Sequence, residues 1–249
     1  MDADTIVFLH GLGTTRTGWE PQLEDLSDTW RCVAWDMPGY GASQPLTEPL
    51  SFAALGDSVA TLLDQLRVET AHLVGLSFGG MHALHAALRH PGRVSSLTLA
   101  DTSPAFGADG TTTRDEWIAA RLSTIDGGAT PADIAPAVLS GIAGPDFGGE
   151  LLDLGVASMS RISSDGLRSA VHLLPDHDVR ADLERITAPT LVVVGELDTE
   201  TPPAYAQELA DGITGATFVE IPKAGHLTPL EAPATFNHTL RSFIAKGAA

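Results

Sequence analysis

Ala71-His72-Leu73-Val74-Gly75-Leu76-Ser77-Phe78-Gly79-Gly80 sets an apolar run against a helix-like stretch, with a serine at the join. Residues 71–76 read as a strand, and a helix runs from Phe78 to about Arg89, where His90-Pro91-Gly92 stops it. A serine at so tight a strand-to-helix turn is forced into a strained backbone conformation, its hydroxyl clear of the sheet. Glycines two residues to either side are required because a Cβ there would collide with neighbouring chain. Alone the motif is weak: in 249 residues with 25 glycines, chance yields about 0.2 such windows. Its flanking strand and helix strengthen it.

Outward from this turn, short apolar runs at 6–9, 32–35, 97–100, 190–194 and 217–221 have strand character. Helices read at 19–26, 52–66, 203–211 and 233–245; in the second, Leu55, Val59, Leu62, Leu63 and Leu66 keep a helical period. Short apolar strands alternating with helices predict an α/β fold with a parallel sheet covered on both faces. Between about 103 and 185 the alternation breaks. No strand reads there, only helical stretches near 113–124, 131–140, 149–160 and 164–174. The expected organisation is a core made of 1–102 and 186–249, with 103–185 a helical lid inserted after the fourth visible strand.

Hydrophobic residues make up 43% and charged residues 18%, the balance of a soluble globular protein. A net charge of −18 argues against nucleic acid or an anionic membrane as partner, since both require clustered Lys and Arg. A small-molecule partner is expected instead. The single cysteine, Cys32, lies in an apolar strand-like run and reads as a buried, inert thiol. The start, Met1-Asp2-Ala3-Asp4, lacks the basic region of a signal peptide, and no apolar stretch is long enough to span a membrane. A cytoplasmic location is expected.

In open α/β sheets, ligands bind beyond the carboxyl ends of the strands. The residues at those ends are His10-Gly11-Leu12, Asp36, Ser77, Asp101 and Asp198, and Lys223-Ala224-Gly225-His226 follows the last strand. In chain order Ser77, Asp198 and His226 resemble the nucleophile, acid and base of the α/β-hydrolases. Asp101, at the neighbouring strand end, is the competing acid; otherwise it caps the strand or braces the lid hinge. Asp36 reads as a loop brace. His82, His85 and His90 follow Ser77 on one helix, with no Cys or carboxylate completing a metal site, and read as packing or surface histidines.

The chain resembles the α/β-hydrolase superfamily over nearly its whole length. The resemblance is carried by His10-Gly11, Asp36-x-x-Gly39-x-Gly41-x-Ser43, the 75–80 turn, Gly195-Glu196-x-Asp198 and Gly225-His226. It is most similar to the 3-oxoadipate enol-lactonase branch through Gly75 to Met81, Leu99-Ala100-Asp101-Thr102-Ser103, Ala188 to Val192 and Ala224-Gly225-His226-Leu227 with Glu231-x-Pro233. The family carries an antiparallel hairpin before its first His-Gly strand, whereas only five residues precede Ile6 here. Six strands rather than eight are therefore expected, with an edge left open that favours a homodimer.

The resemblance implies a serine hydrolase without metal or organic cofactor, acting on an ester or lactone of a small carboxylic acid, enol-lactone hydrolysis foremost. Ser77 is a poor nucleophile unless His226 takes its proton, and Asp198 fixes the imidazole tautomer. The expected oxyanion donors are the backbone N–H groups of Leu12 and Phe78. His10, Trp19, Trp117, Arg121 and Arg161 are candidates to line the substrate pocket, with Phe106, Phe147 and Arg168 behind them. Competing readings are a carbon–carbon bond hydrolase of ring-cleavage products, a cofactor-free haloperoxidase or perhydrolase, and a ligand-sensing protein on the same fold.

Overall fold

A computed structural model of the chain describes residues 4–107, 110 and 112–247. Six strands form one sheet: β1 (Thr5–Leu9), β2 (Arg31–Trp35), β3 (Ala71–Leu76), β4 (Val94–Ala100), β5 (Thr190–Gly195) and β6 (Thr217–Ile221), in the order β2-β1-β3-β4-β5-β6. Every neighbouring pair is parallel. The four inner strands are almost entirely buried because both faces are covered; the edge strands β2 and β6 are partly exposed.

Strand periodicity divides the core into two layers. Val7, Leu9, Leu73, Leu97, Leu99, Val192 and Val194 face one way and pack against α2 (Phe52–Leu66), α3 (Phe78–Arg89) and α8 (Pro203–Gly212). Ile6, Phe8, Val74, Leu76, Ala100, Leu191 and Val193 face the other way. They meet α1 (Glu20–Leu26), α10 (Pro233–Gly247) and residues from the helices that follow β4.

Those helices are α4 (Arg114–Asp126), α5 (Pro131–Ile142), α6 (Gly149–Met159) and α7 (Ser164–Leu173). Thr113 with Glu116, and Thr130 with Asp133, cap α4 and α5 reciprocally, so each helix start satisfies its own orphan donors. Among the described residues, the path into and out of this segment is laced by one antiparallel bridge, Ala105 with Asp178. Phe106 N–H donates to the His177 carbonyl (2.8 Å) and Val179 N–H to that of Pro104 (2.9 Å) beside it.

Two elements differ from expectation. Strand β4 starts at Val94, three residues early, because Ser95 and Ser96 interrupt the apolar run; Ser96 Oγ is bonded to His72 Nδ1 at 2.8 Å across the pair. A one-turn helix, α9 (Thr228–Glu231), follows the last loop and is too short to show a period.

Candidate active site

Ser77 sits between β3 and α3 with φ 52° and ψ −116°, a conformation costly for any residue with a Cβ. The glycines make this turn possible. A Cβ on Gly75 would lie 2.3 Å from the Gly79 carbonyl oxygen, and one on Gly79 2.0 Å from that of Leu9. The strained turn is pinned from both sides: Ser77 N–H donates to the Ala100 carbonyl at 2.8 Å. Thr102 Oγ1–H donates to the Ser77 carbonyl at 2.7 Å.

Three strand-end loops bring distant side chains together. Ser77 Oγ is 2.8 Å from His226 Nε2, and His226 Nδ1 is 2.8 Å from Asp198 Oδ2. A carboxylate only accepts, so Nδ1 carries the hydrogen and, in the neutral ring, Nε2 presents its lone pair to the hydroxyl. Asp198 is held in place by the backbone N–H groups of Glu200 (2.8 Å) and Thr201 (2.9 Å) and the Thr201 hydroxyl (2.9 Å). Burial would raise its carboxyl, but the imidazole and these donors outweigh burial and keep it below the ordinary value. Burial alone would lower His226; the Asp198 carboxylate, with Asp101 and Glu200 behind it, instead holds the imidazole up at about 9.

Asp101 is fully buried beside this chain but contacts different groups. Its Oδ1 accepts from Gly195 N–H (3.1 Å), and its Oδ2 from the N–H and the hydroxyl of Thr228 (both 2.8 Å). Burial first, and the neighbouring Asp198 second, push its carboxyl up to about 8. Asp101 thus ties the β5 end to Thr228 at the start of α9, whereas the expectation is a residue that caps its strand or braces the lid hinge.

Glu231 does comparable work from α9. Its Oε2 accepts from Gly144 N–H (2.7 Å) and Gly225 N–H (2.8 Å), its Oε1 from Leu227 N–H (2.8 Å). His226 N–H donates to the Ile142 carbonyl at 2.9 Å. The end of α5 is therefore fastened to the histidine loop by backbone contacts. A Cβ on Gly225 would fall 2.6 Å from the Gly144 nitrogen, so only glycine permits this approach.

Leu12 lines the cavity, and Phe78 directly follows Ser77 at the start of α3. The loop carrying Leu12 is held by His10, whose Nε2 accepts from Met37 N–H at 3.1 Å. Nδ1 must then donate to the Gly11 carbonyl at 2.9 Å, which defines a neutral tautomer that burial favours. Tyr40 stacks on the ring at 5.1 Å and its hydroxyl donates to the Leu12 carbonyl at 3.1 Å.

A cavity of about 320 Å³ opens onto Ser77 and His226. Of the pocket candidates, Trp117 and Arg121 line it, as does Phe106. Three others do not and are corrected. His10 is buried behind the loop it shapes. Trp19 is packed between Phe8 (5.0 Å) and Phe236 (6.3 Å), its large ring filling the core under β1. Arg161 is exposed, its charge left in water at the end of α6. Phe147 packs on the core, and Arg168 pairs with Asp126 and Asp165. Glu200, Thr201 and Tyr205 line the cavity without having been singled out. For Glu200 the one available signal was its place two residues past Asp198. Among the described residues no cluster of His, Cys, Asp or Glu could hold a metal ion, and no helix is long and apolar enough to cross a membrane.

A parallel sheet with a strained serine elbow and a histidine loop after its last strand is the frame of the α/β hydrolases, and the chain belongs to that family. The profile of the alpha/beta hydrolase fold matches residues 4–137, and one described as TAP-like protein matches 170–249. Among its relatives, 3-oxoadipate enol-lactonase 2 of Acinetobacter baylyi is 29% identical, over 98% of this chain and 90% of its own. A pimeloyl-[acyl-carrier protein] methyl ester esterase of Neisseria meningitidis is 29% identical over 97% and 93%. The crystal structure of the enol-lactonase from Burkholderia xenovorans LB400 superposes with a TM-score of 0.88 at 28% identity, covering 98% of this chain and 92% of its own.

Proposed function

We propose that the protein is a serine hydrolase that cleaves a carboxylic ester or lactone of a small acid through an acyl-enzyme, with Ser77 as nucleophile, His226 as base and Asp198 as orienting acid. The observation that carries this is the unbroken chain Ser77–His226–Asp198, with 2.8 Å at both links and the hydroxyl facing the cavity. Ser77 Oγ adds to the carbonyl carbon as its proton passes to Nε2. The resulting oxyanion meets the N–H groups of Leu12 and Phe78, each such donor being worth roughly 3–4 kcal/mol in the transition state. His226 returns the proton to the departing alkoxide, and water repeats the sequence to free Ser77. In this reading the helices of 103–185 act as a lid, walling the cavity from above.

The names of the relatives support ester and lactone bonds as the target class. The test is turnover of p-nitrophenyl acetate before and after a serine-directed phosphonate. Hydrolysis abolished by a single adduct on Ser77 is the expected result. Ligand binding with neither burst nor turnover would reject the enzyme in favour of a sensor.

A further inference from the structure

Apart from His226, whose imidazole serves Ser77, the described lining residues include one cation, Arg121, and one anion, Glu200, and the two are paired to each other. Arg121 reaches in from α4, its guanidinium 5.5 Å from the Trp117 ring centre; Trp117 in turn stands edge-on to Phe106 at 5.5 Å. Glu200 comes from the loop after β5, its backbone fixed through its N–H to Asp198. Much of the remaining wall is apolar: Met81, Val138, Leu139, Met159, Leu167 and Val171. An acyl chain bearing a second carboxylate has no good place here. At Arg121 it would have to displace Glu200 and leave that half-buried charge to water alone, at Glu200 it meets like charge, and along the wall it loses water without gaining donors.

We propose that the site selects uncharged acyl chains and rejects carboxylate-bearing ones, with Glu200 as the specificity-determining residue. This rests on the ester-hydrolase reading of Ser77 but deepens it to a substrate class. It also agrees with the net charge of −18, which repels anions during approach.

The test uses methyl hexanoate and monomethyl adipate, which differ only in a terminal methyl or carboxylate. Wild type should favour the neutral ester in kcat/KM by about tenfold, since Arg121 and Glu200 are both partly exposed and water softens the loss of their pairing. Glu200→Gln frees Arg121 and should bring the ratio close to one or invert it. Arg121→Met leaves Glu200 alone and should widen it. Because each protein supplies its own ratio, a general loss of folding or activity cancels. Binding of both esters to Ser77→Ala by calorimetry reads the same preference without turnover. If neither ester is hydrolysed while that binding preference holds, the hydrolase reading falls and the charge selection stands. A wild-type ratio near one, or a ratio that Glu200→Gln does not move, overturns the proposal.

Discussion

Two buried carboxylates stand behind one imidazole, and their partners separate their roles. Asp198 bonds His226 directly, whereas Asp101 reaches only Gly195 and Thr228. Asp198→Asn replaces an acceptor by an amide that can stabilise the wrong tautomer, and kcat should fall by about 10⁴. Asp101→Asn should spare most of kcat; if it cost more than Asp198→Asn, the acid would have to be reassigned. The pH profile carries the second signature. With His226 held at about 9, kcat/KM of the free enzyme should climb from neutral pH towards 9 as the ring loses its proton. In Asp101→Asn the midpoint should move down, because a negative charge that favours the imidazolium is gone. The stability linkage runs the other way. A histidine whose folded pKa is raised contributes fully below its unfolded value near 6.5, and the contribution is lost as pH rises through about 9. The melting temperature should therefore fall over the range in which activity rises. A profile flat from pH 6 to 9 would contradict this account of His226.

At the scale of elements, the loop after β6 is a short segment with no regular structure, yet it must hold His226 to within hydrogen-bond tolerance. Its rigidity comes from Glu231, whose two oxygens gather three backbone N–H groups, one of them from Gly144 just beyond α5. Glu231→Gln keeps the volume but turns an amide nitrogen toward one of those donors. A loss of about 2–3 kcal/mol, the worth of one bond to a charged group, is expected by denaturant titration, with a lower kcat as His226 loosens. Unchanged kinetics in a destabilised Glu231→Gln protein would separate the loop from the chemistry. This residue shows where sequence reading ends. The inner strands were legible because burial on both faces leaves a continuous apolar run, and Ser77 because glycines must flank so strained a turn. Asp198 and His226 were legible from their places after strand ends. Glu231 appeared only as part of a family tract, since its bonds to Gly225 and Leu227 depend on how the loop turns and its bond to Gly144 reaches 87 residues back along the chain. Trp19 failed for the same reason in reverse: nothing local distinguishes an aromatic that faces a cavity from one that fills the core against Phe236. Glu200 was hidden because a pairing with Arg121 belongs to tertiary structure alone.

Across the whole molecule, the helical segment after β4 joins the sheet where buried histidines meet. His177 Nε2 can only donate to the Ser103 carbonyl (3.0 Å), so its Nδ1 accepts from His85 Nε2 at 3.2 Å, and both rings are neutral. Phe52 stacks on His85 at 4.6 Å, sealing the contact from α2. Burial pushes His177 down to about 3 and His85 to about 4, while His82 beside them is driven well below its ordinary value. An unfolded chain protonates these rings near pH 6.5, before the folded one does. Their contribution to stability is therefore complete above that pH and is lost as pH falls towards about 4 and 3. Asp101 opposes them, since its raised carboxyl takes up a proton in the folded state first. The variant that isolates the histidine contribution is His177→Gln, which keeps a donor for Ser103 but cannot titrate. It should be less stable than wild type at pH 7, yet lose less stability per pH unit between about pH 6 and 4, the difference approaching about 1.4 kcal/mol per unit. Urea midpoints measured across that range give both slopes. Equal slopes would mean that His177 is already charged where it joins the helical segment to the sheet, contrary to the bonds it makes there.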